Sequence, residues 1–598
     1  MIFPKLSPPK LSYNTVSSFG GIDRTAINSD NSFFDTKNTT SDHFPLLSPR
    51  DKKTTLFSTD SMPLQLLTSN GITYILDNNV YYNGIIQFDG ITPNEKKQIV
   101  SMGNNIIIFP DNYYFNTINL DKDGVSTDKG FLFNKHFSSS VSITLIPCLL
   151  NSPTPVCSPE PPEFFTDGDL WLNTSTKPND LMIYSANSKS WTNISPSHIC
   201  IKFDNINVGF NVGDCVSIEG LGYGLDGFNI IADVRENEII ISGDLPSFAV
   251  TQPTEESPFS ISRDIPLMDF VCEHQNRLYG CRYGKNLKGE FVNEIYASKL
   301  GDPTNWNVFQ GISTDSYAAS CGSEGEWTGI IPYMGYVFFF KENRVHKLYG
   351  TKPSNFTIYD DYLPGIKKGS DASLCLSDGI LFYHSPNGIY AYSGSSPTLI
   401  SKPLGNLSFS NAVGAVYQKT YYICLTDNNG KRKLYTFDYQ KNIWHSHNSD
   451  DYLFLAPFDG NIVGFKYSND KYNFELLQSS NIPALCSKLY GKTLVKEPDF
   501  EWFAETGVLG LSIDNCKYIN KLKLKFDAER GSTLSVHIQI NSNNLWEEYG
   551  KFTSSKLKTY VLDILPPRCD HFKLRLSGKG NCKIYSLTKV IESAGEVI

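Results

Sequence analysis

Short apolar runs, polar turns and aromatic runs follow one another along much of this chain. The order is clear over residues 66–117 and again over residues 329–467, where the turns contain Gly, Asn or Asp. These turn residues tolerate the positive φ that a tight β-hairpin requires. Apolar residues recur at helical spacing for three turns in no part of the chain. The pattern therefore predicts an all-β protein.

The hairpins also recur at a regular distance along the chain. The turns at Gly335, Gly379, Lys419 and Gly460 are separated by about 40 residues, which is the period of a four-stranded propeller blade. A single hairpin buries too little apolar surface, whereas blades around an axis give every apolar face a neighbour. Six units are clear and residues 274–300 supply a seventh, so we expect a β-propeller with about six or seven blades. A sandwich or several small barrels is the alternative.

The distribution of the repeat divides the chain into five regions. Pro, Ser, Thr and Asn dominate residues 1–60, whose scattered Phe and Leu side chains should dock on another surface. Polar and apolar residues alternate after residue 480, as in strands buried on one face. The predicted regions are an extended N-terminal arm at 1–60, the first propeller blades at 61–117, an inserted small β domain at 118–262 with a Trp-rich meander at 163–195, the remaining blades at 263–480 and a C-terminal β-sandwich at 481–598.

Composition narrows the possible environments and partners. The chain has 598 residues, of which 40% are hydrophobic and 19% charged, with a net charge of −9. The acidic balance argues against general nucleic-acid binding, although an acidic wall would let DNA slide past without holding it. Thirteen scattered cysteines without a C-x-x-C pair favour free thiols in a reducing cytoplasm. Neither a signal peptide nor a membrane-spanning segment is expected.

One glycine motif suggests a cofactor but lacks the required context. Residues 222–227 read GYGLDG and match G-x-G-x-x-G. A dinucleotide site needs this turn between a strand and a helix. The following residues, 228–242, are strand-like, so the motif predicts a tight hairpin or bulge, and we expect no cofactor.

Metal-binding patterns are equally weak. His445 and His447 alternate across a predicted strand, which separates their side chains. The acidic residues at 167–169 and 360–361 could contribute calcium ligands, but no loop supplies the ligand count of an EF-hand. We expect isolated acidic turns and no metal site.

The candidate residues for hydrolysis are two pairs of carboxylates. Glycoside hydrolysis needs two such groups across a cleft. The pairs are Glu324 and Glu326 beside Trp327, and Asp264 and Asp269 before Phe270. Sequence alone places neither pair across a pocket, and P-loop, H-E-x-x-H and G-x-S-x-G motifs are absent. The interpretation at this point is that these are turn carboxylates, that there is no catalytic residue and that the chain is not an enzyme.

Two other sets of side chains suggest binding surfaces. The alternation over 517–541 turns Lys521, Lys523 and Lys525 to one side and their apolar neighbours to the core, so these lysines form a solvated face or a phosphate contact. A saccharide-stacking platform would need exposed aromatic rings, although alternating aromatics more often pack in cores. The candidates for it are Tyr81, Tyr82, Tyr113, Tyr114, Trp171 and Trp191.

Several segments resemble propeller-bearing virion proteins of tailed bacteriophages, which include tail-nozzle and packaged-DNA stabilisation proteins. The similar segments are FGGI at 19–22 with FPLLSPR at 44–50, DIPLMDF at 264–270 with NRLYG at 276–280, and IYASKLGDPTNW at 295–306. The DGDLW run at 167–171 is similar to a small module of phage tail and fibre proteins. These motifs are structural, and the family supplies no active-site residue.

The resemblance implies a structural subunit of a phage virion, assembled in the bacterial cytoplasm. Such a tail nozzle or hub subunit would form a homo-oligomeric ring, with a hexamer favoured, as part of the DNA exit channel. Its partners would be other tail, portal or adaptor proteins, and DNA would pass without sequence-specific binding. The alternatives are a carbohydrate- or receptor-binding tail module and a glycoside hydrolase.

Overall fold

The fold was analysed in a computed structural model of the chain. The structure describes residues 11–25, 29–93, 96–132, 135–287, 289–309, 312–448, 450–512, 516–564 and 567–593. Residues 1–9, where no signal peptide is expected, lie outside the described residues. Within the described residues, strands dominate and the only α-helix has seven residues, as the alternating pattern predicts.

The N-terminal region contains five short strands, of which β1, β2 and β5 pair with distant parts of the chain. Their bounds are β1 (Leu11–Val16), β2 (Asp35–Lys37), β3 (Thr39–Thr40), β4 (Ser48–Pro49) and β5 (Thr54–Thr59). Strands β3 and β4 form a small antiparallel pair.

Two four-stranded antiparallel sheets follow, which are blades one and two of the repeat, and in each sheet every strand pairs with the next. The first contains β6 (Pro63–Leu67), β7 (Thr73–Leu76), β8 (Asn79–Tyr82) and β9 (Ile85–Phe88). The second contains β10 (Gln98–Met102), β11 (Asn105–Phe109), β12 (Tyr113–Asn116) and β13 (Lys129–Phe131).

An insertion then builds two sheets of its own. The smaller sheet consists of β16 (Val156–Ser158), β17 (Leu170–Asn173), β18 (Asp180–Ser185) and β19 (Ser190–Ile194), and it follows β14 (Lys135–Ser139) and β15 (Ile143–Cys148). The remaining strands of the insertion are β20 (His198–Lys202), β21 (Cys215–Glu219), β22 (Gly227–Arg235), β23 (Glu238–Ser242), β24 (Ala249–Thr251) and β25 (Phe259–Arg263). The larger sheet has eight strands in the order β14-β25-β21-β22-β23-β20-β15-β24 around one apolar core.

Five further blades complete the repeat. Blade three has β26 (Phe270–Glu273), β27 (Leu278–Lys285), β28 (Phe291–Ala297) and β29 (Tyr317–Ser320); blade four has β30 (Gly329–Tyr333), β31 (Tyr336–Phe340), β32 (Val345–Tyr349) and β33 (Thr357–Asp361). Blade five has β34 (Cys375–Ser377), β35 (Ile380–Ser385), β36 (Gly388–Tyr392) and β37 (Thr398–Leu399); blade six has β38 (Ser410–Tyr417), β39 (Thr420–Thr426), β40 (Arg432–Asp438) and β41 (Ile443–Ser446). Blade seven has β42 (Asp451–Phe458), β43 (Asn461–Ser468) and β44 (Lys471–Leu476), with β5 as its fourth strand.

The seven blades close into a ring. First strands of neighbouring blades contact one another, namely β6 with β10, β10 with β26, β26 with β30, β34 with β38, β38 with β42 and β42 with β6. Blades four and five share an apolar core that includes Tyr333, Ile366 and Leu381. The chain is therefore a seven-bladed β-propeller, within the predicted range, and its last blade is closed by a strand from the N-terminal region.

The C-terminal region forms a second large β unit. It is preceded by helix α1 (Ala484–Tyr490) and β45 (Val495–Lys496), and it contains β46 (Glu501–Glu505), β47 (Lys517–Ile540), β48 (Glu547–Asp563), β49 (Phe572–Lys579) and β50 (Cys582–Ser593). The long strand β47 pairs with β50 through its first half, with β49 through its second half and with β48 along most of its length. The predicted alternation is present, because Leu522 and Leu524 are fully buried while Lys521 and Lys525 are exposed.

The N-terminal arm binds this C-terminal unit and the propeller together. Strand β1 extends the sheet beyond β50, and β2 pairs with β46. The same arm reaches blade six, where the Ile22 amide donates to the Trp444 carbonyl over 2.6 Å and the Asn38 amide to the Ser446 carbonyl over 2.8 Å. The apolar arm thus docks on its own chain.

Three region boundaries differ from the sequence-based prediction. Residues 54–59, assigned to the arm, form the closing strand of blade seven, and residues 129–131, assigned to the insertion, complete blade two. Residues 495–496, assigned to the C-terminal sandwich, pair with β5 and extend the sheet of blade seven. All three are outer strands whose membership depends on pairing with a strand elsewhere in the chain. A local pattern carries no information on such pairing.

Candidate functional site

The loops that lead into the first strands of blades two to five meet on one face of the propeller. They precede β10, β26, β30 and β34, and the first strand of each blade lies nearest the axis. The loops carry Lys96, Asp269, Glu326 and Asp371 to a cavity of about 580 Å³, with Tyr283 on its wall. This cavity is called the axial cleft below.

Carboxylates in the axial cleft are paired with cations from neighbouring loops and strands. The pairs are Arg282–Asp269 at 2.5 Å, Lys368–Glu326 at 2.5 Å and Lys96–Asp371 at 3.0 Å. The backbone amide of Tyr283 also donates to Asp269 over 2.8 Å, which fixes that carboxylate. Hydrogen bonding to Glu326 raises the pKa of Lys368. The cleft therefore offers a ligand hydrogen-bond acceptors beside donors, among which Asp269 is fixed by two partners.

Two aromatic rings, those of Phe270 and Trp327, line the axial cleft. The Lys96 ammonium lies 4.2 Å from the ring centroid of Phe270, and the Lys341 ammonium lies 4.4 Å from that of Trp327. Cations over ring faces are stabilised by the ring quadrupole. Trp327 and Phe270 are both buried, so the rings support the charged groups while Tyr283 remains partly exposed.

A second cavity of about 950 Å³ continues outward from the axial cleft over blade four. It shares Glu326, Thr328 and Lys368 with the axial cleft and is called the radial pocket below. On its wall, Ser323 Oγ lies 2.8 Å from His346 Nε2. The other ring nitrogen, Nδ1, lies 4.0 Å from Oδ1 of Asp360.

The surroundings of His346 in the radial pocket favour its neutral form, because they lower its pKa. Burial lowers the pKa of His346, the positive charges of Lys341 and Arg344 act in the same direction, and Asp360 opposes them. Burial also lowers the pKa of Lys341, whose ammonium donates to the Ser323 carbonyl over 2.8 Å. Arg344 donates to Asp360 over 2.7 Å.

The structure rearranges the carboxylate pairs that the sequence singled out. Asp269 and Glu326, from different pairs, line the axial cleft together. Glu324 lines the radial pocket with Glu326. Asp264 lines neither cavity, and its carbonyl accepts from the Asn307 side chain. Ser323 and His346 were missed, because no sequence motif joins a loop serine to a histidine two strands later.

Three of the predicted metal-ligand candidates, His445, Asp360 and Asp361, have partners within the protein. His445 Nδ1 lies 2.9 Å from Thr39 Oγ1, and burial lowers the pKa of His445 to about 4. Asp361 pairs with Lys347 at 2.5 Å, and Asp360 pairs with Arg344. Over the described part of the chain, no group of three or more His, Cys, Asp or Glu side chains is arranged to hold a metal ion.

The glycine motif lies in a loop between antiparallel strands. Residues 222–227 connect β21 to β22, and the Asp226 carboxylate accepts from the amides of Leu221 and Gly222. The glycines at 222, 224 and 227 all have positive φ. The predicted hairpin context is therefore present, without the helix that a dinucleotide site would need.

The six aromatic candidates do not form one platform. Tyr82 and Trp171 are buried, Tyr81 stacks on Tyr74 with 5.1 Å between ring centroids, and Tyr113 packs 4.2 Å from Phe131. The two tryptophans lie in the insertion, 5.6 Å apart and edge to face, whereas the tyrosines belong to blades one and two.

A further cavity of about 1010 Å³ lies between blade six, the arm and the C-terminal unit. Its charged side chains pair among themselves, as in Lys441–Asp438 at 2.8 Å and Lys52–Asp499 at 2.7 Å. The Lys52–Asp499 pair joins the arm to the C-terminal region, and Lys441 of blade six also donates to the Ser41 carbonyl of the arm. The axial cleft and radial pocket are consequently the better candidates for a functional site.

Comparisons with known proteins give a likeness in architecture. No family model matches the chain, and no curated protein sequence matches it. Among solved structures, the phage phi92 endosialidase is 10% identical over 73% of this chain and 70% of that chain, with a TM-score of 0.26. The β-propeller domain of the Trilobed protease from Pyrococcus furiosus is 10% identical over 64% and 98%, with a TM-score of 0.23. An exo-β-1,3-galactanase from Phanerochaete chrysosporium is 10% identical over 54% and 94%, with a TM-score of 0.21.

The same comparison corrects the prediction that the chain is not an enzyme. The similar structures include a galactanase, an endosialidase, a glycoside hydrolase and an acylaminoacyl peptidase. That prediction was wrong, because it took an all-β pattern without a familiar motif as grounds for excluding catalysis. Among the described residues, no helix is long and apolar enough to cross a membrane.

Proposed function

We propose that this chain is a bacteriophage tail protein whose propeller binds a carbohydrate in the axial cleft. One observation carries the binding proposal: loops of four consecutive blades bring paired carboxylates and cations to one cavity beside aromatic rings. Saccharide hydroxyl groups both donate and accept hydrogen bonds, so a site with fixed partners of both kinds suits them. Asp269 and Glu326 would accept from hydroxyl groups, and Arg282 would donate.

The assignment to a phage tail has a different basis. It is supported by the sequence segments that resemble virion proteins, and in particular by residues 264–270, which lead directly into the first strand of blade three. Part of that segment, including Asp269, also lines the axial cleft. The segment that resembles virion proteins therefore contributes part of the lining of the candidate site.

A glycan array probed with the purified full-length chain tests the binding proposal. We expect a restricted set of glycans to be retained, and we expect the double variant Asp269→Asn, Glu326→Gln to lose them. Asp264→Asn is the matched control, because Asp264 lies outside the cavity. A binding pattern that the double variant shares with the unaltered chain would contradict the proposal.

The second candidate function is a ring-forming tail subunit that contributes to the DNA exit channel. It is favoured by the 17-residue strand β48, which among the described strands pairs with β47 alone. Its exposed Leu557 and Val561 would pack against a second copy, because an open sheet edge is a template for another strand. A homo-oligomeric ring, with a hexamer favoured, would meet other tail, portal or adaptor proteins and let DNA pass.

Mass photometry of the full chain tests this second candidate. A discrete oligomer that the Val561→Asp variant dissociates would support it. The control is Lys558→Gln on the same strand, which lowers the net charge by the same one unit without removing an apolar side chain. A monomer at all accessible concentrations would contradict the ring.

A further inference from the structure

Blade four places a serine and a histidine in the geometry of a nucleophile and its base. Ser323 belongs to the loop that joins β29 to β30, and His346 belongs to β32. Their Oγ and Nε2 atoms lie 2.8 Å apart at the wall of the radial pocket. A serine becomes a nucleophile when a neutral imidazole within hydrogen-bond distance accepts its proton. The distance in this pair meets that requirement.

A carboxylate faces the other nitrogen of the same imidazole. Asp360 on β33 lies directly opposite His346 across the strand pair, and its Oδ1 is 4.0 Å from Nδ1. A small rotation of the Asp360 side chain, which is about two-fifths exposed, would bring its carboxylate within hydrogen-bond distance of Nδ1. Arg344 holds the carboxylate near this position through a 2.7 Å contact.

We propose that Ser323, His346 and Asp360 form a hydrolytic site for O-acyl esters, with Ser323 as nucleophile, His346 as general base and Asp360 as a positioning residue. The substrate class is an acylated saccharide whose sugar occupies the adjoining axial cleft. This substrate class rests on the proposed carbohydrate binding, whereas the ester-cleaving chemistry does not.

The reaction proceeds in two balanced steps. Ser323 Oγ attacks the ester carbonyl carbon while its proton passes to His346 Nε2, and that proton then goes to the departing alcohol oxygen as the acyl–oxygen bond breaks. Water next attacks the acyl-serine and gives a proton to His346. The carboxylic acid leaves as the serine oxygen takes the proton back. The positive charges of Lys341 and Arg344 in the same pocket favour the oxyanion of each intermediate.

Blade five provides an internal comparison for this arrangement. Ser370 Oγ lies 2.9 Å from Nδ1 of His384, but both residues are fully buried. The residue opposite His384 across the strand pair is Ile389, so that position holds no carboxylate. The serine–histidine bond of blade five therefore has only a structural role. In blade four the serine contacts Nε2 instead of Nδ1, and Ser323 and His346, although also largely buried, line an open pocket and face a carboxylate.

Labelling of the full-length chain with a fluorophosphonate tests the proposal without any saccharide. We expect covalent modification of Ser323, identified by peptide mass spectrometry, together with hydrolysis of 4-nitrophenyl acetate. Ser323→Ala should abolish both, and His346→Gln should slow both by about 10²–10⁴-fold. Ser370→Ala is the matched control and should react as the unaltered chain does, provided that circular dichroism shows it to be folded.

The role of Asp360 needs a measurement that a structural role would not change. The charged groups facing His346 are Asp360, Lys341 and Arg344. Asp360→Asn removes the negative one, so the pH midpoint of labelling should fall, and Asp360→Glu should restore it. Absence of label on Ser323, or esterase activity that survives Ser323→Ala, would overturn the proposal. Because the probe carries no sugar, that result would leave carbohydrate binding untouched, and failed glycan binding would leave the labelling result untouched.

Discussion

Phe57 of the N-terminal region lies directly opposite Phe474 of blade seven, with 5.4 Å between their ring centroids. This contact joins the strand that begins the propeller to the last strand that the chain adds to it. Blade seven combines β5 from the N-terminal region with β42, β43 and β44 from the end of the repeat. The position of the first blades therefore depends on the last blade. The ring is consequently sensitive to changes in β5, although β5 contributes only six residues.

Leu56 on the closing strand is the first test of this dependence. It is fully buried in the core shared by blades one and seven, so Leu56→Ala should cost about 2–5 kcal/mol through the cavity it leaves. The thermal unfolding midpoint of the full chain measures this effect. Ser58→Ala on the same strand is the control, since Ser58 is exposed, and an equal shift in both variants would contradict the closure argument.

The arm that clamps blade six gives a second prediction. A Cβ added to Gly21 would lie 2.0 Å from the Trp444 carbonyl oxygen, a distance at which the arm must move. Gly21→Ala should therefore detach the arm, with a cost of about 1–3 kcal/mol. Limited proteolysis should cut the variant within residues 17–50 much faster than the unaltered chain. Ser18→Ala, at an exposed position, should leave the cleavage rate unchanged.

The axial cleft supports a third prediction, on ligand affinity. Arg282 binds Asp269 and also donates to the Lys285 carbonyl, so it fixes one side of the cleft. For any glycan found to bind, Arg282→Ala should weaken the affinity by about 10-fold or more, because a hydrogen bond to a charged group contributes roughly 1.5–3 kcal/mol. Isothermal titration calorimetry measures this change. Arg235→Ala, in the insertion, is the control, and equal affinity in both variants would remove Arg282 from the site.

Local alternation explains why so much of the fold was predictable. The pattern around Leu522 and Leu524 is determined by which face of one strand is buried, and neighbouring residues reveal that face. The pairing of β5 with β44 joins residues more than 400 positions apart, and no local pattern encodes it. Ser323 and His346 present the same difficulty, because their contact depends on how a loop folds over blade four. The site was therefore less predictable than the blades that support it.

The buried charges beside the closing strand give the last prediction, on pH. Asp450 is buried and forms ion pairs with Lys53 and with Lys466, the latter at 2.8 Å. Burial opposes ionisation of Asp450, but the two lysines outweigh burial and hold its pKa well below the ordinary value. A carboxyl group with a lowered folded-state pKa stabilises the fold above its unfolded pKa of about 3.9, and that stabilisation is lost as the pH falls further.

The thermal unfolding midpoint should accordingly fall steeply below about pH 4 in the unaltered chain. Asp450→Asn leaves the buried Lys53 ammonium and the partly buried Lys466 ammonium without this counter-charge, so at pH 7 it should destabilise the protein by about 3–5 kcal/mol. The same variant should show a flatter dependence on acid, because the titrating group is gone. Asp60→Asn is the control, since Asp60 is exposed and its ion pair with Lys471 is 3.9 Å long. If Asp450→Asn and the unaltered chain lose stability in parallel from pH 5 to pH 3, then Asp450 does not carry the acid sensitivity of the closed ring.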